Sequence, residues 1–495
     1  MNYSMKSKTY TGIIWSFAKF IITFGIPFII GIFLARLLMP EDYGLIGMVT
    51  IIIAVANSLI DSGFSQALIR KKNVSQEDYS TIFYFNLLIS LILYLIIFLC
   101  AKIISDFYSE PRLIPIIRII SLVIIINSLS IIQRTILIKK IDFKSQALIV
   151  LISSTISGII AIFLAYNGFG VWSLVFNTLI SNFLQTLLLW IYNKWIPSFV
   201  FNFTSFKSLL GFSSKLLASG MIDTIYQNIY SPIIGKSFSV VDLGYYTNAV
   251  KYKNILSNMI SSSIQQVTYP VLSEIKENKV LLKKNNKKLV RTTMFLQFPL
   301  MIGLLVVAEP LFFILFGEKW LNSIPYFQLL CIVGILYPLH TINLNILKVI
   351  GRSDLFLRLE IYKKISFTIL IVIFFQWGII GLIIAQVINS ILSYIINSYY
   401  SGKYIDYHLK EQIKDFLPVF IISLLMGIIV FLSSLILPDN YFIKLSCEVI
   451  IGVIFYLSIC KLAKIKELDN LLNIFFSYLK DINFKKKKKE SSPNE

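Results

Sequence analysis

Long apolar runs separated by short polar breaks cover the chain from near residue 11 to near residue 463. Each run is close to the roughly 20 residues a helix needs to cross the hydrocarbon layer of a bilayer. They fall near 11–37, 43–69, 81–104, 113–138, 146–166, 169–192, 209–234, 243–270, 290–316, 323–349, 357–376, 379–400, 416–437 and 441–463. The expectation is an all-α, polytopic membrane protein with about 14 transmembrane helices.

Within this pattern the chain echoes itself. IIGIFLARLLMPEDYGLIGMV (29–49) and IIGKSFSVVDLGYYTNAV (233–250) share Ile-Ile-Gly, a short turn and Asp-x-Gly, with Asp42 and Gly44 lying 200 residues before Asp242 and Gly244. ILIKKIDF (136–143) pairs with ILKVIGRSD (346–354), and the turn NGFGVW (167–172) with WGIIGL (377–382), both at an offset of 210. Each match alone is weak, because Asp and Gly are common turn residues. Three in the same order at nearly one offset imply duplication. The offset spans an even number of helices, so the expected halves have the same orientation. This predicts an N-terminal lobe (1–200, helices 1–6), a C-terminal lobe (201–402, helices 7–12), an added helix pair (403–464) and a tail (465–495).

Polar side chains inside a membrane are expensive and face a cavity or a partner. Here they form stripes at helical spacing on four predicted spans. Helix 1 carries Ser16, Lys19 and Thr23, and helix 2 carries Asn57, Asp61 and Ser65. Helix 7 carries Asp223, Tyr226, Gln227 and Tyr230, and helix 8 carries Asn248, Lys251, Asn254, Asn258 and Gln265. These are the first two helices of each repeat, so two parallel six-helix lobes are expected to enclose a central hydrophilic cavity. The substrate-cavity candidates are Lys19, Thr23, Arg118, Asn248, Lys251, Asn254, Asn258, Gln265, Gln227 and Tyr230. Lys19 could instead snorkel to the membrane surface, and Arg118 could be a buried ion-pair partner. The acidic candidates for ion coupling are Asp61 and Asp223.

Composition agrees with a membrane location: 56% of the 495 residues are hydrophobic and only 15% charged, against roughly 25% charged in soluble domains. The net charge of +20 would suit nucleic acid, but its distribution argues otherwise. With the N-terminus inside, most Lys and Arg fall in cytoplasmic segments, among them Arg70-Lys71-Lys72, Lys139-Lys140, the 276–291 loop, Lys363-Lys364 and the tail. The predicted outer loops hold Arg36, Lys102, Arg112, Lys236, Lys319 and Lys444. That bias places both termini in the cytoplasm and removes nucleic acid as a partner. The tail combines a helical apolar spacing (Leu468, Leu471, Leu472, Phe475, Phe476, Leu479) with Lys485–Lys489, which suits either a disordered tail or a helix on the anionic inner leaflet at about 1 kcal/mol per Lys. Four scattered cysteines and two isolated histidines offer no metal or disulfide spacing. No cleavable signal is expected, because the first apolar run is long and lacks a small-residue cleavage site.

Several strings, in their order, are similar to a known family: MPEDYGLIGMV (39–49), DSGFSQALIRKKNVSQEDYSTIFYFNLLIS (61–90), IDFK (141–144), GFGVWSLV (168–175), IIGKSFSVVDLGYYTNAVKYKN (233–254), YPVLSEIKEN (269–278) and GRSD (351–354). Over roughly residues 8 to 465 the chain resembles the polysaccharide transporter family, the Wzx-type flippases and colanic-acid exporters of the multidrug/oligosaccharidyl-lipid/polysaccharide exporter superfamily. The resemblance implies an alternating-access exporter and not an enzyme. Its cargo would be a lipid-linked oligosaccharide, usually on undecaprenyl pyrophosphate, moved across the bacterial cytoplasmic membrane for surface polysaccharide synthesis. It also implies polysaccharide polymerase machinery as a partner and coupling to a proton or sodium gradient, with no bound cofactor. No Walker A motif is present, so ATP is not the direct driver. A drug/cation antiporter of the same superfamily would share the architecture but favour an acidic cavity. A membrane O-antigen polymerase or glycosyltransferase would need a larger outer loop carrying catalytic acids.

Overall fold

The structure, a computed structural model, describes residues 22–61, 63–71, 73–140, 142–275 and 277–470. Among them every regular element is helical. The apolar helix α1 (Ile22–Leu37) is followed by α2 (Pro40–Asp61), α3 (Phe64–Arg70), α4 (Gln76–Tyr108), α5 (Leu113–Ile120), α6 (Leu122–Lys139), α7 (Phe143–Tyr166) and α8 (Val171–Asn193). Next come α9 (Phe203–Asn228), α10 (Tyr230–Ser237), α11 (Val240–Glu274), α12 (Lys279–Val306), α13 (Ala308–Phe316), α14 (Ile324–Ile335) and α15 (Tyr337–Ile350). The series ends with α16 (Ser353–Phe374), α17 (Gly378–Ile405), α18 (Leu409–Ser434) and α19 (Tyr441–Leu462).

Ten stretches among the described residues are long and apolar enough to cross a membrane, and one of them, Arg358–Ile405, joins two of the expected spans. The expected spans near 209–234 and 243–270 are not among the ten. Both regions are helical, in α9–α10 and α11, but the polar faces that mark them lower their apolar character. Part of the first expected span lies outside the described residues, as does the tail from residue 471.

Local chemistry explains where the rods start and break. Ser75 and Asp78 form a capping box on α4, each side chain bonded to the other's backbone N–H, which satisfies donors a helix start leaves open. Asp142 caps α7 by accepting from the Ser145 N–H at 3.0 Å, and it also accepts from the Tyr192 hydroxyl at 2.8 Å. Gly63 separates α2 from α3 with φ +72°, a conformation that glycine adopts without a side-chain penalty. The long helices leave Leu91, Leu95, Leu99 and Ile103 of α4, and Ile450, Val453 and Ile454 of α19, exposed. In lipid such faces need no covering.

The chain packs into two compact units, Met1–Ile255 with Leu315–Tyr326, and Leu256–Ile314 with Phe327–Glu495. The division by packing differs in kind from the division by repeat, which rests on sequence echoes. Inside the first unit, the Asp-x-Gly echo acquires a physical meaning. A Cβ on Gly44 would overlap the Val240 carbonyl, and a Cβ on Gly244 would overlap the Pro40 carbonyl. The first residue of each helix thus rests on the glycine one turn inside the other, a reciprocal contact of the kind a local twofold produces. The two aspartates lie just above: Asp42 accepts from the Met39 N–H at 2.9 Å, and Asp242 accepts from the Ser239 hydroxyl at 2.6 Å.

The second unit has its own core, in which Phe298 meets Phe416 and Phe420 edge-on at 5.5 and 5.1 Å. Across α12 and α18, Lys287 and Arg291 face Asp415 at 3.2 and 2.5 Å, and Lys287 also reaches Glu411 at 3.0 Å. Asn343, Ser401, Gln412 and Tyr394 form a buried hydrogen-bonded group. Lys363 and Lys364 were expected among the loop charges. They lie more than two turns inside α16, where Lys363 is buried and both ammoniums share Glu360. The preceding ten residues also form helix, so the apolar run alone understates its length.

Candidate functional site

The polar stripe of α11 supplies the centre. Lys251, three turns into that helix, places its Nζ over two tyrosine rings, 5.7 Å from the Tyr43 centroid and 5.6 Å from that of Tyr252. No carboxylate pairs with it among the described residues. Gly31 of α1 makes the approach possible: a Cβ there would stand 2.9 Å from the Tyr252 hydroxyl oxygen and 3.1 Å from Lys251 Nζ. The ammonium and that hydroxyl therefore converge on one small volume beside the α1 backbone.

Around this pair the first unit is aromatic. Tyr252 packs on Phe316 at 4.4 Å and on Phe28 at 5.5 Å, and Tyr43 meets Trp320 edge-on at 5.1 Å. Trp320 is fully buried and donates its Nε1–H to the Ala35 carbonyl at 2.8 Å. Lys319 caps the end of α1 by donating to the Arg36 carbonyl at 2.8 Å, and the Arg36 Nε–H returns a bond to the Leu315 carbonyl at 2.9 Å. Against this ordered frame several buried polar groups find no partner among the described residues: the hydroxyls of Tyr43, Tyr252 and Thr247 and both amide atoms of Asn248. Buried polar groups are nearly always satisfied, so a cation beside such a set is chemistry suited to an anionic, hydroxyl-rich ligand.

The other candidates fall into different settings. Tyr230 is buried with its ring 6.1 Å from Tyr246, whereas Gln227 and Asn254 are exposed. Thr23 is half-buried on α1, with a buried hydroxyl that has no partner among the described residues. The Arg118 guanidinium lies 4.5 Å above the Phe98 ring, a cation–π contact with α4. Asp61 is exposed, accepts from the Ser65 hydroxyl at 2.6 Å and interacts electrostatically with Arg134 of α6. Asp223 is half-buried on α9. Lys19 and the side chains of Asn258 and Gln265 lie outside the described residues.

Tyr43, Tyr252, Gly31, Trp320 and Arg134 did not stand out in the sequence. Tyr43 and Tyr252 occupy two of the recognisable strings, but tyrosine reads as part of an apolar run, and a glycine that permits an approach carries no polar mark. Arg134 lies at the inner end of a predicted span, and only the fold brings it to Asp61.

Comparison with known proteins follows this geometry. The lipopolysaccharide biosynthesis protein WzxC of Escherichia coli (strain K12) is 26% identical over 441 residues, covering 86% of this chain and 89% of that protein. The teichuronic acid biosynthesis protein TuaB of Bacillus subtilis (strain 168) is 26% identical, over 77% of this chain and 79% of its own length. Among solved structures, the lipid II flippase MurJ in an inward closed conformation superposes with a TM-score of 0.75 at 19% identity, over 90% of this chain and 97% of that one. That likeness shows the fold. The model of the polysaccharide biosynthesis protein family matches residues 33–325, more than half of the chain, including Tyr43, Lys251, Tyr252 and Trp320, and the protein belongs to that family.

Proposed function

We propose that the protein is a flippase that carries a lipid-linked oligosaccharide across the bacterial cytoplasmic membrane for surface polysaccharide synthesis. The observation that carries this reading is Lys251: an ammonium with no carboxylate partner among the described residues, set inside a helix beside buried tyrosine hydroxyls and the Asn248 amide, which find no partner among those residues either. A diphosphate linker supplies the charge this group favours, and sugar hydroxyls supply donors and acceptors for the tyrosines and the amide. The names of the relatives, in lipopolysaccharide and teichuronic acid biosynthesis, and of a structural neighbour that flips lipid II, support the same class.

The excess of Lys and Arg at one end of the helices favours both termini in the cytoplasm. The two sequence repeats suit alternating access by rocking lobes of residues 1–200 and 201–402. Coupling to a proton or sodium gradient would use Asp61 or Asp223. Polymerase machinery on the far side would consume the product, and the tail could rest on anionic inner-leaflet lipids. A drug/cation antiporter is disfavoured by the same ammonium, which would repel a cationic drug.

The test is deletion of the gene in its host followed by extraction of lipid-linked glycan. Accumulation of unpolymerised lipid-linked units on the inner face, reversed by the wild-type chain and not by Lys251→Gln, supports flipping. Normal surface polysaccharide without accumulation would overturn it.

A further inference from the structure

The segment joining α8 to α9 has an inverted amphipathic pattern. Lys194, in the left-handed region at φ +53°, ends α8, and the chain then runs as an irregular segment, bent at Phe199, to Asn202, which caps α9 by accepting from the Ser205 N–H at 3.0 Å. Along this strap the polar groups point inward. Ser198 donates its N–H to the Ser80 hydroxyl at 3.0 Å, and Asn202 donates its own to the Thr81 hydroxyl at 3.0 Å. The Ile196 carbonyl accepts from Gln76 at 2.7 Å, and the Trp195 carbonyl accepts from Gln133 at 3.0 Å. Trp195 packs inward on Tyr79 and Phe83, but the other large apolar side chains point outward: Ile196 is 72% exposed, Phe199 98%, Phe201 51% and Phe203 68%.

Water would favour the opposite arrangement, because contiguous apolar patches of this kind mark interaction surfaces. Irregular backbone tolerates lipid only where its polar groups are satisfied from within the protein, and the first turns of α4 and the Gln133 amide supply those partners here. The strap also stands at a defined height. It continues from the last residue of the apolar span Val171–Asn193 and lies against the first residues of the span Gln76–Tyr108. The exposed Lys194 and Lys207 flank it, and the exposed Arg70, Lys140 and Lys144 lie at helix ends on the same side. We propose that residues 194–207 form an interfacial anchor, with the aromatic side chains at the headgroup–acyl boundary and the lysines on the phosphates of anionic phospholipid. The anchor is independent of the cargo: it would hold in a flippase or in an antiporter.

Photolabelling of the wild-type protein tests it. The chain is reconstituted in vesicles of phosphatidylethanolamine and phosphatidylglycerol doped with a phospholipid carrying a diazirine near the top of its acyl chain, illuminated, and mapped by mass spectrometry. Adducts on Phe199, Phe201 or Phe203 are the expected result. Labelled α4 and α8 with an unlabelled 196–203 peptide would overturn the anchor. The lysines are tested by Lys194→Gln combined with Lys207→Gln: strap adducts should fall at least two-fold in phosphatidylglycerol vesicles and stay unchanged in pure phosphatidylcholine. An equal fall in both lipids, or none in either, would remove the anionic headgroup from the proposal.

Discussion

At the scale of single residues, the Lys251 group was partly readable in the sequence. Asn248 and Lys251 stood out because a charge and an amide three residues apart on an apolar helix form a polar face that something must meet. Their surroundings were not readable, because Tyr43 comes from a different helix and Gly31 matters only through the side chain it lacks. Charge-assisted hydrogen bonds contribute about 1.5–3 kcal/mol, so Lys251→Gln should lower the rate of lipid-linked glycan delivery by at least about ten-fold, since each 1.4 kcal/mol is a factor of ten. Lys251→Arg should retain more, because the charge survives. Tyr252→Phe removes a buried hydroxyl that has no partner among the described residues, so the resting fold should lose little stability while delivery falls. A Tyr252→Phe variant with a clearly lower melting temperature would assign that hydroxyl a structural role. Delivery is read from the ratio of intracellular lipid-linked glycan to surface polymer at matched protein levels.

At the scale of elements, the apolar runs located the helices, and the chemistry at their ends was less visible. The Asp-x-Gly strings read as turns, and they are helix starts: the aspartate holds the first turn and the glycine accepts the carbonyl of a second helix. A spacing shared by turns and helix starts cannot separate the two. Gly44→Ala or Gly244→Ala would press a methyl group into backbone, which cannot swing aside, and overpacking of this kind costs about 1–3 kcal/mol. Each variant should melt earlier than wild type in detergent. Gly211→Ala on α9, where a Cβ would meet nothing within 4 Å, should be neutral or slightly stabilising, since alanine favours helix over glycine.

The loop between α4 and α5 gives a pH-dependent counterpart. Arg112 bridges Glu110 at 2.7 Å and Glu41 of α2 at 2.5 Å, and its guanidinium bonded to Glu110 holds that carboxyl below the usual range. A depressed carboxylate contributes stability that is present above its unfolded pKa and is lost as pH falls through its lower folded value. Hydrogen exchange at residues 109–113, corrected for the intrinsic pH dependence, should therefore show protection that is constant near neutrality and declines in acid. Protection that rises in acid would contradict the assignment.

At the scale of the whole molecule, repeat and packing divide the chain differently, and the segment 315–326 shows why sequence could not supply the second division. Its flanking residues on both sides pack with the second unit, whereas the segment itself packs with the first. Nothing in GEKWLNS marks this, because the bond that fixes it runs from Trp320 to a backbone carbonyl, and every residue has one. The Trp320 indole is fully buried, and its Nε1–H satisfies the Ala35 carbonyl beside the end of α1. Trp320→Ala would forfeit this packing at a cost of about 3–5 kcal/mol and leave a buried carbonyl unmet. If the units are separately cohesive, the damage should stay where the side chain sits. Hydrogen exchange should accelerate in peptides covering 34–43 and 318–323, while α12 and α18, joined by the Asp415 ion pairs and the Phe298–Phe416 contact, keep wild-type protection. Equal loss of protection in α18 would mean that the two units unfold as one, and that the segment supports both.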